Sequence, residues 1–129
     1  MQRTYQSLIE KAKNVTDNAY APYSKFKVGA CALFENGNTY IGCNVENASY
    51  GLSLCAERNA ISTAIANGEK SKLLAVAIYS PNQTKCVPCG ACRQWIYEFA
   101  QDAKIILEDA NKEIIIFDIQ ELLPEGFVL

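Results

Sequence analysis

Two short stretches constrain this chain more than anything else in it: Cys55-Ala56-Glu57 and Pro88-Cys89-Gly90-Ala91-Cys92. Each reads as the first turn of a helix. Together they offer three thiolates for one metal ion and a carboxylate that the metal does not need. Three protein ligands leave the fourth position of a tetrahedral zinc open, which is the arrangement of a catalytic site rather than a structural one. A spare carboxylate beside such an ion is what an activated water needs as its proton shuttle. At C-x-x-C spacing the sulfurs of Cys89 and Cys92 can face one ion, and a helix N-terminus favours their thiolate form. Glu57 lies about 200° round the helix from Cys55, so it need not bind the same ion. Taken singly, Cys55 would be a small buried residue and Glu57 a favourable charge in a first helical turn.

The chain has 129 residues, enough for one domain with a real core, so residues 1–129 are expected to form a single domain. Half of them are apolar, which excludes general disorder. The formal net charge is -2, the wrong sign for a nucleic-acid groove or an anionic membrane surface. No apolar signal segment follows Met1, and the longest apolar run, Leu73 to Tyr79, is too short to span a bilayer. A cytoplasmic location is therefore expected, where six cysteines read as metal ligands or buried thiols rather than disulfides. The chain holds no histidine, which rules out histidine-ligated metals and histidine-based catalysis.

Hydrophobic periodicity predicts a helix from about Thr4 to Tyr20, ended by Pro22, with Tyr5, Leu8, Ile9, Ala12, Val15 and Ala19 inward. Phe26 to Phe34 alternates as a strand, Asn36-Gly37 signals a hairpin, and Thr39 to Cys43 returns antiparallel to it. After a polar loop, Leu54 to Asn67 reads as a helix burying Ala56, Ala60, Ile61, Ala64 and Ile65, with Gly68 past its end. Leu73 to Tyr79 is apolar throughout, as in a central strand. The third helix, Cys89 to Gln101, should turn Trp95, Ile96 and Phe99 to the core. Two strands follow, Lys104 to Leu107 and Glu113 to Phe117. The few residues between them are short of the dozen or so that a parallel crossover needs, so this pair should be antiparallel. Asp118 to Glu121 has the capping pattern of a short last helix. The expected fold is α/β: three layers, α/β/α, around one mixed five-stranded sheet whose last two strands are antiparallel.

The spacing Cys55-x-Glu57 followed by Pro88-Cys89-x-x-Cys92 is the signature of zinc nucleobase deaminases in its cysteine variant. The chain resembles the cytidine deaminases, in their short three-cysteine form, along nearly its whole length. The likeness runs through Ala21-Pro22-Tyr23-Ser24-Lys25-Phe26-Lys27-Val28-Gly29-Ala30, Gly42-Cys43-Asn44-Val45-Glu46-Asn47-Ala48-Ser49-Tyr50, Cys55-Ala56-Glu57-Arg58, Pro88 to Gln94, and Leu122-Leu123-Pro124-Glu125-Gly126-Phe127.

The resemblance implies one zinc per chain on Cys55, Cys89 and Cys92, with Glu57 as the proton shuttle. It implies that Asn44 and Glu46 hold the ribose, mainly its 3′-hydroxyl, that Phe26 lies beside the pyrimidine, and that the backbone of Ala56 contacts the base. It implies a homotetramer with active sites at subunit interfaces, where Tyr50 and Phe127 reach a neighbour's site. Three thiolates leave the zinc site with net negative charge, which a cation touching a sulfur would offset. Arg58 stands where the family carries that arginine, and Gln94 is a second candidate behind the ligands. Without the resemblance, Asn44 and Glu46 read as loop residues, Phe26 as a core residue and Phe127 as a tail packed on its own subunit.

The implied reaction is hydrolysis of cytidine and 2′-deoxycytidine to uridine or 2′-deoxyuridine and ammonia, as in pyrimidine salvage. The substrate is a small nucleoside, with no nucleic acid or membrane as partner. Alternatives are a related nucleoside such as blasticidin S, and a non-enzymatic structural zinc module on Cys55, Cys86, Cys89 and Cys92. Cys86 makes the second arithmetically possible and departs from the deaminase pattern, as does Trp95, where an aliphatic residue is usual.

Overall fold

The computed structural model describes residues 2–129. Its elements, in chain order, are α1 (Gln2–Thr16), β1 (Gly29–Phe34), β2 (Thr39–Cys43), a 3-10 turn (Tyr50–Leu52), α2 (Ala56–Ala66), β3 (Leu73–Tyr79), α3 (Gly90–Phe99), β4 (Lys104–Glu108), β5 (Ile114–Asp118) and α4 (Ile119–Leu122). The five strands form one sheet in the order β2-β1-β3-β4-β5. Among these five described strands, β3 and β4 run parallel, joined by α3 as the crossover helix; β1 is antiparallel to both its neighbours and β5 to β4. This is the expected mixed α/β/α arrangement.

One layer is α1 alone. Its stripe of Tyr5, Leu8, Ile9 and Ala12 packs on Cys31, Leu33, Ala75, Ala77 and Ile106. The other layer is α2, α3 and α4, whose Ala56, Ala60, Ile61, Ala64, Ile96 and Ile119 meet Ala30, Ala32, Val76, Ile78, Ile105 and Leu107. Each fully buried Ile or Leu in these layers contributes on the order of 1.5–3 kcal/mol.

Several sequence expectations shift. The first helix ends at Thr16, not near Tyr20, because Thr16 bonds back to the Ala12 carbonyl and Tyr20 pairs its backbone with Asn44 and Glu46. The first strand starts at Gly29 rather than Phe26. It is buried on both faces, since β2 and β3 flank it and helices cover both sides. Ile65 is exposed, and Trp95 and Phe99 are each 37% exposed. On α3 the inward line is Cys92 and Ile96, four residues apart; Trp95 and Phe99 form the next row round the helix and pack on each other, ring centroids 6.1 Å apart.

Two devices set α2 where the site needs it. Gly42 lets the helix lie on β2: a Cβ there would stand 2.6 Å from the Ala56 carbonyl oxygen. Asn59 adds a hydrogen bond of 2.7 Å from its amide to the Cys43 carbonyl. The far end closes with Gly68 at φ +81°, Gly68 N–H bonding the Ile65 carbonyl and Glu69 N–H the Ala64 carbonyl. Among the described residues no helix is long and apolar enough to cross a membrane.

Candidate active site

Cys55 and Cys89 are the residues that cap α2 and α3, each in an extended backbone conformation just ahead of its helix. The crossover of the sheet brings these two helix starts together. Cys92 follows in the first turn of α3 and is fully buried. The three Sγ atoms lie within 4.8 Å of one another, and Cys55 Sγ stands 3.8 Å from Cys89 Sγ. Two sulfurs on one tetrahedral zinc, each about 2.3 Å from it, would be about 3.8 Å apart. The donor set therefore fits zinc in kind and in spacing. Cys86 is not among the grouped sulfurs.

In this arrangement Cys55 is the sulfur pushed down, to about 5, by the hydrogen bond from Cys92 and by the Arg58 guanidinium. Cys92, as the donor of that bond and in a buried position, is pushed up. Arg58 places a guanidinium nitrogen 3.3 Å from Cys55 Sγ, where the sequence placed a compensating cation. Its Nε is buried with no partner among the described residues. Glu57 is 4% exposed, and burial pushes its carboxyl up to about 7.

Above the sulfurs opens a cleft of about 390 Å³. The structure brings Phe26, Asn44, Glu46, Ala56 and Glu57 to its walls together with Cys55 and Cys89. Asn44 is held at both ends of its amide, accepting from Val28 N–H at 2.9 Å and donating to the Phe26 carbonyl at 2.8 Å. It and Glu46 are half-buried.

Other expected residues stand elsewhere. Tyr50 is 78% exposed and lines an adjoining hollow shared with Ser24, Glu46 and Ser53. Phe127 is 66% exposed on its own subunit. Gln94 does not turn its amide to the thiolates: it donates to the Phe127 carbonyl at 2.7 Å and accepts from Phe127 N–H, tying down the tail. Cys86, the fourth cysteine of the structural-zinc alternative, is half-buried in the cleft wall.

Sequence reasoning missed Ser24, Val28, Ser53, Leu54 and Val87, which also line the cleft. Ser24 and Val28 lay inside a recognised stretch, but nothing in residue type marked them. Arg93 was missed too; its guanidinium bonds the Pro88 and Leu122 carbonyls and locks the ligand loop to α4.

Residues 2–108 match the family model described as the cytidine and deoxycytidylate deaminase zinc-binding region. The chain belongs to that family. A cytidine deaminase of Halalkalibacterium halodurans is 41% identical over 123 residues, covering 95% of this chain and 92% of the relative. One of Mycoplasma pneumoniae is 42% identical over 119 residues, 91% of this chain and 89% of the relative. The crystal structure of a cytidine deaminase from Burkholderia pseudomallei superposes with a TM-score of 0.88 at 41% identity, covering 95% of this chain and 98% of that one. As a member of a zinc-binding deaminase family, the chain has in Cys55, Cys89 and Cys92 a set that can hold one zinc ion.

Proposed function

We propose that this chain, as one deaminase domain over residues 1–129, hydrolyses cytidine and 2′-deoxycytidine to uridine or 2′-deoxyuridine and ammonia, in pyrimidine salvage. The observation that carries the reading is the trio of sulfurs within 4.8 Å of one another, with Cys55 and Cys89 at the spacing of two ligands on one zinc, and Glu57, a buried carboxylate outside the trio, on the wall of the same cleft as Cys55 and Cys89. Cys55, Cys89 and Cys92 would hold zinc, which when bound supplies a Lewis acid that makes water acidic enough to attack C4 near neutral pH. Glu57 takes the proton of that water, passes it to N3 of the pyrimidine and then helps protonate the departing amine. Arg58 offsets the negative charge gathered on Cys55. Phe26 packs against the base and the Ala56 backbone contacts it, while Asn44 and Glu46 hold the sugar.

The full Asn44-Val45-Glu46-Asn47 run favours a cytidine sugar over blasticidin S, and the acidic chain and antiparallel β4–β5 pair disfavour a polynucleotide. Rates on cytidine, blasticidin S and single-stranded DNA test this. Cytidine should react fastest; a faster antibiotic or polynucleotide would overturn the substrate assignment.

The proposal includes a homotetramer in the cytoplasm. Its support is the exposed apolar surface at Tyr50, Phe127, Val128 and Leu129, next to the cleft or on the tail held by Gln94. Light scattering should give four times the chain mass. A monomer with full activity would remove Tyr50 and Phe127 from the site.

A further inference from the structure

The carboxylate of Glu46 is gripped by one turn of chain. Its Oε1 accepts from Tyr23 N–H at 3.0 Å and Ser24 N–H at 3.1 Å, and its Oε2 accepts from the Ser24 hydroxyl. That hydroxyl in turn accepts from Phe26 N–H at 3.0 Å. Ser24 thus bridges the two cleft residues proposed for sugar and base, and it lines the cleft itself. The turn is a demanding one: Lys25, the next residue, has φ +62°, a conformation that persists only where its surroundings hold it. Its N–H is closed onto the Ala21 carbonyl at 3.0 Å, and Glu46 closes the rest.

An ionised carboxylate has roughly four acceptor positions. Three are taken by the Tyr23–Ser24 turn, which leaves roughly one, and the turn decides where it points. We propose that Ser24 is a positioning residue for sugar recognition, fixing the Glu46 carboxylate so that its remaining acceptor faces the 3′-hydroxyl of the nucleoside. The proposal rests on the reading of Glu46 as a ribose-holding residue and adds the residue that aims it. Without the Ser24 hydroxyl, Oε2 is free to turn to water and the sugar hydroxyl meets an unaimed partner.

The test compares kcat/KM for cytidine and 3′-deoxycytidine in the zinc-loaded wild type, Ser24→Ala, Ser24→Thr and Glu46→Gln. The wild type should prefer cytidine. Ser24→Ala should lose about tenfold on cytidine, the scale of one hydrogen bond to a charged group, and less than about twofold on 3′-deoxycytidine. Ser24→Thr, which keeps the hydroxyl, should restore the preference. Zinc per chain should not move, since Ser24 stands outside the grouped sulfurs. If Ser24→Ala keeps the full preference while Glu46→Gln loses it, or if Ser24→Ala slows both substrates equally, the positioning role is wrong and Glu46 keeps its part. If the wild type shows no preference, the ribose-holding reading fails and the positioning role falls with it.

Discussion

Cys86 sits in the wall of the cleft, where burial first, and then the nearby charges of Glu57 and Cys55, push its thiol up to about 11, yet it stands outside the grouped sulfurs. A single residue therefore separates an open three-ligand site from a closed four-ligand one. Cys86→Ser should retain one zinc per chain and keep cytidine turnover within about fivefold, since a near-isosteric change in a cleft wall costs under ~1 kcal/mol of barrier. Loss of both zinc and activity would make Cys86 a ligand. At this scale the metal-binding residues were legible, because their chemistry is tied to residue type and to spacing at helix starts. The aim of polar side chains was not. Gln94 was expected behind the thiolates but bonds the tail, and Ser24 carried no sign that it grips Glu46. Those contacts join segments that sequence spacing does not bring together.

At the scale of elements, local chemistry was read well and pairing less so. Asn36-Gly37 marks the β1–β2 turn, Gly68 the end of α2, and Asp118 to Glu121 the capping box of α4. The antiparallel partner β2 was legible, but the second neighbour of β1 was not, since its pairing with β3 crosses some 40 residues and both-face burial looks like alternation when small residues fill one side. The hairpin turn is also tied to the α2–β3 connection by Glu69. This carboxylate, in a residue 7% exposed, accepts from Ser71, Tyr40, Asn36 and Asn38, with Ser71 the leading cause of its being held down at about 2. Because its folded value lies below the ordinary 4.5, its contribution is fully present above about pH 4.5 and is lost as pH falls towards 2. Thermal midpoints of wild type and Glu69→Gln should differ at pH 7 and converge between about pH 4.5 and 2. A gap that stays constant over that range would contradict the charged clamp.

For the whole molecule, the sheet order and the single parallel crossover place two helix N-termini side by side, and everything chemical follows from that placement. The sulfurs come from both helices, Glu57 and Arg58 from one, and the cleft walls from the segments before β1 and after β2. Tyr50 and Phe127 are exposed, Tyr50 in a hollow that adjoins the cleft through Ser24, Glu46 and Ser53. We propose that metal holding and proton transfer reside in different residues, the three cysteines and Glu57. The most direct test is the loss of cytidine absorbance with purified wild type and Glu57→Gln, zinc being counted per chain in both. We predict one zinc per chain in each protein and turnover lower in the variant by about 10²–10⁴-fold. Near wild-type turnover by Glu57→Gln, or zinc lost together with activity, would contradict this division of roles.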